Sequence, residues 1–477
     1  MKSTLVGREL ECKEIQKCIA SKRSEFVVIY GRRRIGKTFL VRSFFNDTYD
    51  FSFVGARNLT VQQQLDRFAA NLQSYSKKRK NYSFATWFEA FDALQKYLGS
   101  LPADRKKIIF IDEMPWIDNY NSDFVKALEI FWNAWANLRD DILFIACGSS
   151  TSWMVSNLIE NQGGLHNRIT NQIYLKPFNL YETELYLQDL GCNWDRFQII
   201  QCYMVIGGVP FYLSLLDPAL SLAQNIDRLF FKKNSLLQSE FKDLYGALFV
   251  HADKYISVVR ALSNIKEGLT RQEISDKIGI SGGGLTTILD NLVKCDFCLK
   301  TNIIGKKKKD TIYKLVDFYT LFYFHFIEDN KITDEEFWTH NIQSAKISSW
   351  QGLSFELICL THTHQIKKAL GIAGIATTIS AWRKPADKDF KGAQIDLIIE
   401  RVDRIINLLE MKFYDTNFSV TKDYHEKLRE RMGIFRQATK TKCGIQNTLV
   451  TTFGLTQGLH SSIFSNTVTQ DDLFGNI

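Results

Sequence analysis

Residues 31 to 38 read Gly31-Arg32-Arg33-Arg34-Ile35-Gly36-Lys37-Thr38, a G-x-x-x-x-G-K-[ST] string. The chemistry such a string supports is the holding of phosphate. Its glycines let backbone N–H groups wrap the oxygens, and a helix starting at its end adds positive potential. Lys37 is spaced to reach the β- and γ-phosphates of a nucleotide, and the Thr38 hydroxyl to bind Mg²⁺. A second pair, Asp112-Glu113, closes the apolar run 108–111. There Asp112 can hold Mg²⁺ through water, and Glu113 can orient or deprotonate an attacking water. Ser149 follows another apolar run, 142–147, where a small hydroxyl can sense a γ-phosphate. Arg168 lies in a loop beyond it, as either an arginine finger or a surface arginine.

A separate group of residues lies near the other end. Segments 394–399 and 405–413 are apolar and joined by Arg401-Val402-Asp403-Arg404. If that turn centres on Asp403, Asp396 stands opposite Glu410 and Gln394 opposite Lys412. Side chains alternate along a strand. Gln394, Asp396, Glu410 and Lys412 then share one face, with Ile395, Leu397, Leu409, Met411 and Phe413 on the other. Two opposed carboxylates repel unless a cation lies between them, and Mg²⁺ suits hard oxygen ligands. Lys412 beside them can position water or steady a phosphorane-like transition state. Lys427 and Arg431, on a helix expected over 424–436, are placed as phosphate contacts. The bland alternative is an exposed hairpin of cross-strand salt bridges.

The elements that must position these residues can be read from periodicity. Buried strands are expected at 26–30, 108–111, 142–147 and 173–175, with a further strand at 49–54. Helices are expected to 21 from Gly7-Arg8-Glu9, near 60–72 and 87–98, and through most of 180–245. From 255 the pattern changes to three helices and a hairpin: 255–266, a second helix opened by Thr270 and Glu273 as a capping box, and 285–293, then 298–304 and 311–315. That is a winged helix-turn-helix with Lys306–309 at its wing tip, able to contact phosphates. Such modules also serve as lids and protein docking surfaces. The third helix offers Ser281, Thr286, Thr287 and Asp290 but no arginine for base readout. The aromatic run 318–326 reads as core or a domain bridge. His362 and His364 read as structural or surface, and Lys77 to Lys80 as a solvated loop.

Composition sets the bounds. The 477 residues are 45% hydrophobic with net charge +8, enough for two to four domains and open to nucleic acid without demanding it. No apolar run is long enough to span a bilayer, and the first fifteen residues are too charged for a signal peptide. A cytoplasmic protein is expected, with its nine cysteines reduced. Cys295 and Cys298 lack a second pair for zinc and read as core.

Taken in order, LVGRELE, YGRRRIGKT, FIDEMPW, CGSS, LHNR, LKPF and GGVPFYL resemble the archaeal-type P-loop ATPases of the AAA+/STAND group, over about residues 1–245. The resemblance implies that Gly7 and Arg8, with Gly208 and Pro210, lie near the nucleotide base. Leu5 replaces the family's aromatic residue, and His166-Asn167 replaces its tyrosine-glycine before the arginine. Asp396, Glu410 and Lys412 resemble the PD-(D/E)xK nuclease core, in which Glu356 matches a metal-binding acid on the first helix; Ile395 stands where that core often has proline. The whole arrangement resembles ATPases with a DUF234-type tail.

These readings give an α/β protein: an ATPase core at 1–178, a helical lid at 179–248, a winged helix at 249–328 and a restriction-endonuclease-like α/β domain at 335–477. ATP and Mg²⁺ are the expected cofactors. DNA, bound or cut by the C-terminal domain, is the expected partner, and a homo-oligomer would let Arg168 act across subunits. The other reading is a regulatory switch that binds protein partners, with an inactive nuclease-like scaffold.

Overall fold

The computed structural model describes residues 5–77, 81–118, 122–304, 311–328, 333–386 and 392–476. The chain divides into two compact units, Met1–Lys176 and Pro177–Ile477.

In the first unit five parallel strands form one sheet: β1 (Glu25–Tyr30), β2 (Phe51–Val54), β3 (Lys107–Asp112), β4 (Ile142–Gly148) and β5 (Asn171–Tyr174), in the order β2-β3-β4-β1-β5. A parallel sheet is covered on both faces, which is why β1 and β4 read as unbroken apolar runs. Phe51, Phe68, Trp87 and Trp132 pack on one face. Ile15, Leu40, Val41 and Phe45 pack on the other. Because the strands are parallel, the loops after β1, β3 and β4 all leave from one edge, where ligands bind in open α/β sheets. The second strand starts later than expected, at Phe51. Asp50 before it instead accepts the N–H of Ile108 (2.8 Å) and pairs with Arg105 (2.7 Å).

The expected lid, winged helix and tail share one core, beside which the tail keeps two smaller clusters of its own, around Phe435 and around Leu449. One apolar cluster runs from Phe178 through Tyr245, Leu285, Phe322 and Trp350 to Phe474. The aromatic run supplies its centre: Phe318, Tyr319, Phe322 and Phe326 are buried, as the core reading of that run requires. Cys295 and Cys298 are buried too. His362 is buried: the Leu180 N–H donates to its Nε2 (3.1 Å) and its Nδ1 faces Ile358 O (2.9 Å). Burial pushes its pKa down to about 4, so it is a neutral structural histidine.

The winged helix is present as helices Ala252–Ser263, Arg271–Ile278 and Gly282–Lys294 with β6 (Leu269–Thr270), β7 (Cys298–Thr301) and β8 (Ile312–Leu315), paired β6-β8-β7. The Thr270–Glu273 capping box forms as expected. Thr286, Thr287 and Asp290 are exposed on the third helix. The lysines of the wing tip, and Lys78 to Lys80, lie outside the described residues.

The tail is a mixed sheet of β9 (Thr377–Lys384), β10 (Ala393–Arg401), β11 (Ile405–Lys412), β12 (Gly444–Thr451) and β13 (Asn466–Val468). The first two pairings are antiparallel and the last two parallel. Helix Ala345–Thr361 precedes it and helix Lys422–Thr439 sits between β11 and β12. The β10–β11 register is the expected one, through Leu397↔Leu409, where the ladder ends one step short of Asp396 and Glu410.

One facing expectation is wrong. The β9–β10 register shifts between Ile395 and Ile398. A bulge adds a residue and breaks strict alternation. Ile395 therefore packs with Ile398, Leu408 and Phe435, whereas Leu397, Leu409 and Met411 join the larger core. No helix among the described residues is long and apolar enough to cross a membrane.

Candidate functional site

The glycine loop is built where β1 turns into helix Lys37–Phe45. Gly31 has φ +143°, and a Cβ there would sit 2.2 Å from Leu175 O, so no larger residue fits the turn. Arg32 and Ile35 are buried, and Arg33 and Arg34 are half-buried. Lys37 Nζ folds back on the loop, donating to Gly31 O (2.9 Å) and Arg32 O (2.7 Å). It is thus held at the mouth of the backbone cradle it is expected to serve. Thr38 Oγ1 donates to Asp112 Oδ2 (2.7 Å), joining the loop to the end of β3. The Glu113 N–H donates to Asp112 Oδ1 (2.8 Å). A hydroxyl and a carboxylate in contact are hard oxygen donors, a set that fits Mg²⁺.

Glu113 has φ +49°, a left-handed backbone that is strained for a glutamate. Its carboxylate accepts from both the Oγ (2.8 Å) and the N–H (3.2 Å) of Ser149. Burial pushes the Glu113 carboxyl above its usual range, against the opposing charge of Lys37. A raised carboxyl is a stronger base toward water at neutral pH. Gly7 and Arg8 adjoin the same loop: Arg8 Nη2 donates to Ile35 O (3.4 Å) and Lys176 O (2.8 Å), and Nη1 faces Glu11 (3.5 Å). Arg168 is exposed after a turn in which its N–H donates to Leu165 O (3.0 Å). Asn167 before it has φ +56°, a conformation asparagine tolerates where the resembling family has glycine. Pro210 opens the short helix Pro210–Leu213 in the second unit.

Ser149→Ala removes one of the two donors that fix Glu113. Turnover of ATP should fall about 10²-fold while nucleotide affinity stays near that of the parent. An unchanged kcat in steady-state phosphate release would remove Ser149 from the hydrolytic machinery.

In the tail, Glu356, Gln394, Asp396, Glu410 and Lys412 line one cavity of about 880 Å³. Gln394 Nε2 donates to Asp396 Oδ1 (2.6 Å). Glu410 pairs with Lys412 (3.0 Å) and with Arg431 Nη1 (2.8 Å), and accepts the Tyr424 hydroxyl. Burial works to raise its pKa, but Arg431, Lys412 and Tyr424 outweigh it and hold it at about 2. Glu356 is tied to Lys266 of the winged helix (2.8 Å).

Glu356 and Glu410 are each drawn to a cation, and no three carboxylate, histidine or cysteine side chains among the described residues gather as a metal nest. Glu356 Oε2 nonetheless lies buried without a hydrogen-bond partner, as do Arg431 Nε and Nη2. An orphan acceptor and orphan donors on residues lining one cavity fit a ligand carrying both a cation and anionic oxygens. Lys427 lines the same cavity from the exposed side. Tyr424 and Lys266 escaped the sequence reading. Tyr424 lies two helical turns before Arg431, a spacing that could have revealed it. Lys266 is remote in sequence and nothing local announces it.

A parallel sheet with a glycine loop, an acid pair and a serine along one edge has the layout of a P-loop nucleotide site. Residues 5–216 match the family model described as an ATPase domain predominantly from Archaea. The chain is 24% identical over 435 residues to the uncharacterized protein MJECL04 of Methanocaldococcus jannaschii, covering 89% of this chain and 91% of that one. Among solved structures it is similar to the Walker-type ATPase PABY2304 of Pyrococcus abyssi, at 17% identity and TM-score 0.49, over 68% of this chain and 96% of that one. It is also similar to the ORC2 protein of Aeropyrum pernix, at 14% identity and TM-score 0.42, over 67% and 93%.

Proposed function

We propose that the protein is an ATP-hydrolysing switch or motor of the AAA+/STAND type whose C-terminal domain binds DNA or cuts it with a divalent metal. The observation that carries this reading is the pairing, in one chain, of the Lys37–Thr38–Asp112–Glu113–Ser149 edge with the Glu356–Asp396–Glu410–Lys412 cavity. Lys37 would leave its resting carbonyls to meet the β- and γ-phosphates. Thr38 and Asp112 would hold Mg²⁺, which neutralises phosphate charge when bound. Glu113 would take the water's proton, with Ser149 fixing its direction. Gly7 and Arg8 would border the base, and Arg168 would act across subunits of a homo-oligomer. In the tail, Glu356, Asp396 and Glu410 would hold Mg²⁺, which supplies a Lewis acid for phosphodiester attack. Lys412 would orient the water, and Arg431 with Lys427 would hold the backbone phosphate. The order helix Ala345–Thr361, β9, β10, β11, helix Lys422–Thr439, β12 supports the nuclease-like reading.

The second reading, a protein-binding switch with a scaffold tail, is favoured by the cations that already pair with Glu410 and with one oxygen of Glu356. ATP turnover with and without DNA separates the two. DNA should accelerate phosphate release, and changing Lys306 to Lys309 together to Ser should weaken DNA binding. The same change should make the fall of log affinity with log salt shallower by about one unit for each phosphate no longer neutralised. Turnover indifferent to DNA, with an unaltered salt slope, would favour the protein-partner reading.

A further inference from the structure

Lys266 does not belong to the tail. It is carried by the turn that links helix Ala252–Ser263 to β6 in the winged helix. The turn is closed by the Gly268 N–H donating to Ile265 O (3.1 Å). Gly268 has φ +72°, and a Cβ there would meet Ile312 Cγ2 at 2.5 Å and Tyr313 O at 2.6 Å. The turn is therefore pressed against β8 and its position is fixed by packing. From it the Lys266 ammonium reaches Glu356 Oε1 at 2.8 Å, with 40% of the lysine side chain exposed and 14% of the glutamate's.

Charges of both signs crowd this pair. Glu356 is raised by burial first and then by the charge of Asp396. Burial works to lower the pKa of Lys266, but Glu356, Asp396 and Glu410 together outweigh it and raise it. Lys314 of β8 also faces Asp396 and Glu356. Glu267 lines the cavity beside Lys266 and adds a further negative charge. Lys266 meets only one oxygen of Glu356, and the other is buried without a partner.

We propose that Lys266 is the resident counter-ion of Glu356 and competes with a divalent cation for it, so that the winged helix controls metal loading of the tail cavity. This rests on the metal-site reading of Glu356, Asp396 and Glu410. A cation entering the cavity would take both Glu356 oxygens only as the ammonium withdraws. Anything that moves the 265–268 turn, such as a partner seated on the winged helix, would then raise the cavity's affinity for metal. The coupling is reciprocal, so metal in the cavity would loosen the turn.

The test is Mn²⁺ binding to the full chain, by titration calorimetry without nucleotide, in the parent and in Lys266→Met, Lys266→Gln and Lys266→Arg. The Asp396→Ala variant identifies which bound Mn²⁺ belongs to the tail. Met and Gln should bind tail Mn²⁺ about tenfold more tightly than the parent, and Arg should match the parent. Thermal melting in chelator checks that each variant is folded, and the two uncharged replacements guard against failure of either. Equal or weaker binding in Met and Gln overturns the competition and leaves the metal site standing. If no chain binds any Mn²⁺ that Asp396→Ala abolishes, the metal-site reading falls and the proposal falls with it.

Discussion

Lys37→Ala is expected to reduce ATP hydrolysis about 10³-fold or more, to background. The lysine is buried and its ammonium is held by Gly31 O and Arg32 O, which fixes it over the loop. Alanine removes the side-chain cation that the proposed function assigns to the β- and γ-phosphates. Glu113→Gln is the companion. Glutamine keeps the shape and can still meet Ser149, and the Thr38–Asp112 hydrogen bond is untouched. ATP should still bind, measured with a fluorescent analogue, while turnover falls about 10²- to 10⁴-fold for want of a base. A Glu113→Gln protein that releases phosphate at the parent rate would remove Glu113 from the mechanism.

Asp396→Ala carries the second large effect. Mn²⁺ or Mg²⁺ should raise the melting temperature of the parent chain, since a ligand bound only by the folded state stabilises it. At one hundred times its dissociation constant the gain is about 2.7 kcal/mol. Asp396→Ala should lose that shift and any plasmid cleavage together. Lys412→Ala should lose cleavage and keep much of the shift, because lysine is not a ligand. ATP turnover should survive both changes, because its residues lie within 5–216. A melting curve indifferent to metal, with Asp396→Ala equal to the parent, would make this face a salt-bridge cluster.

The ATPase edge was legible because each part of it is local. A glycine string between a strand and a helix, or an acid pair closing an apolar run, needs only adjacent residues to be recognised. Sheet order then brings these strings together with no further information from the sequence. The β10–β11 register was legible for the same reason, since a short turn sets it. The bulge at Ile395 was not, because it depends on the pairing with β9, whose register no local string announces. The charges around Glu410 and Glu356 were half legible. Lys412 and Arg431 sit on the same or the next element, whereas Lys266 arrives from another module, and only the packing shows it. The joint core of lid, winged helix and tail was also hidden, because an apolar stripe does not say which stripe it meets.

That joint core bears on how the second unit could have arisen and how it can be altered. Tyr245, Phe322 and Trp350 come from three stretches that resemble separate modules, yet they pack in one cluster. Cutting the tail away would strip apolar surface from the winged helix as well as from itself. Such parts cannot be exchanged one at a time between relatives, as beads on a string can. A graft that keeps the tail must bring its lid and wing along, and substitutions at their junctions must be made in concert.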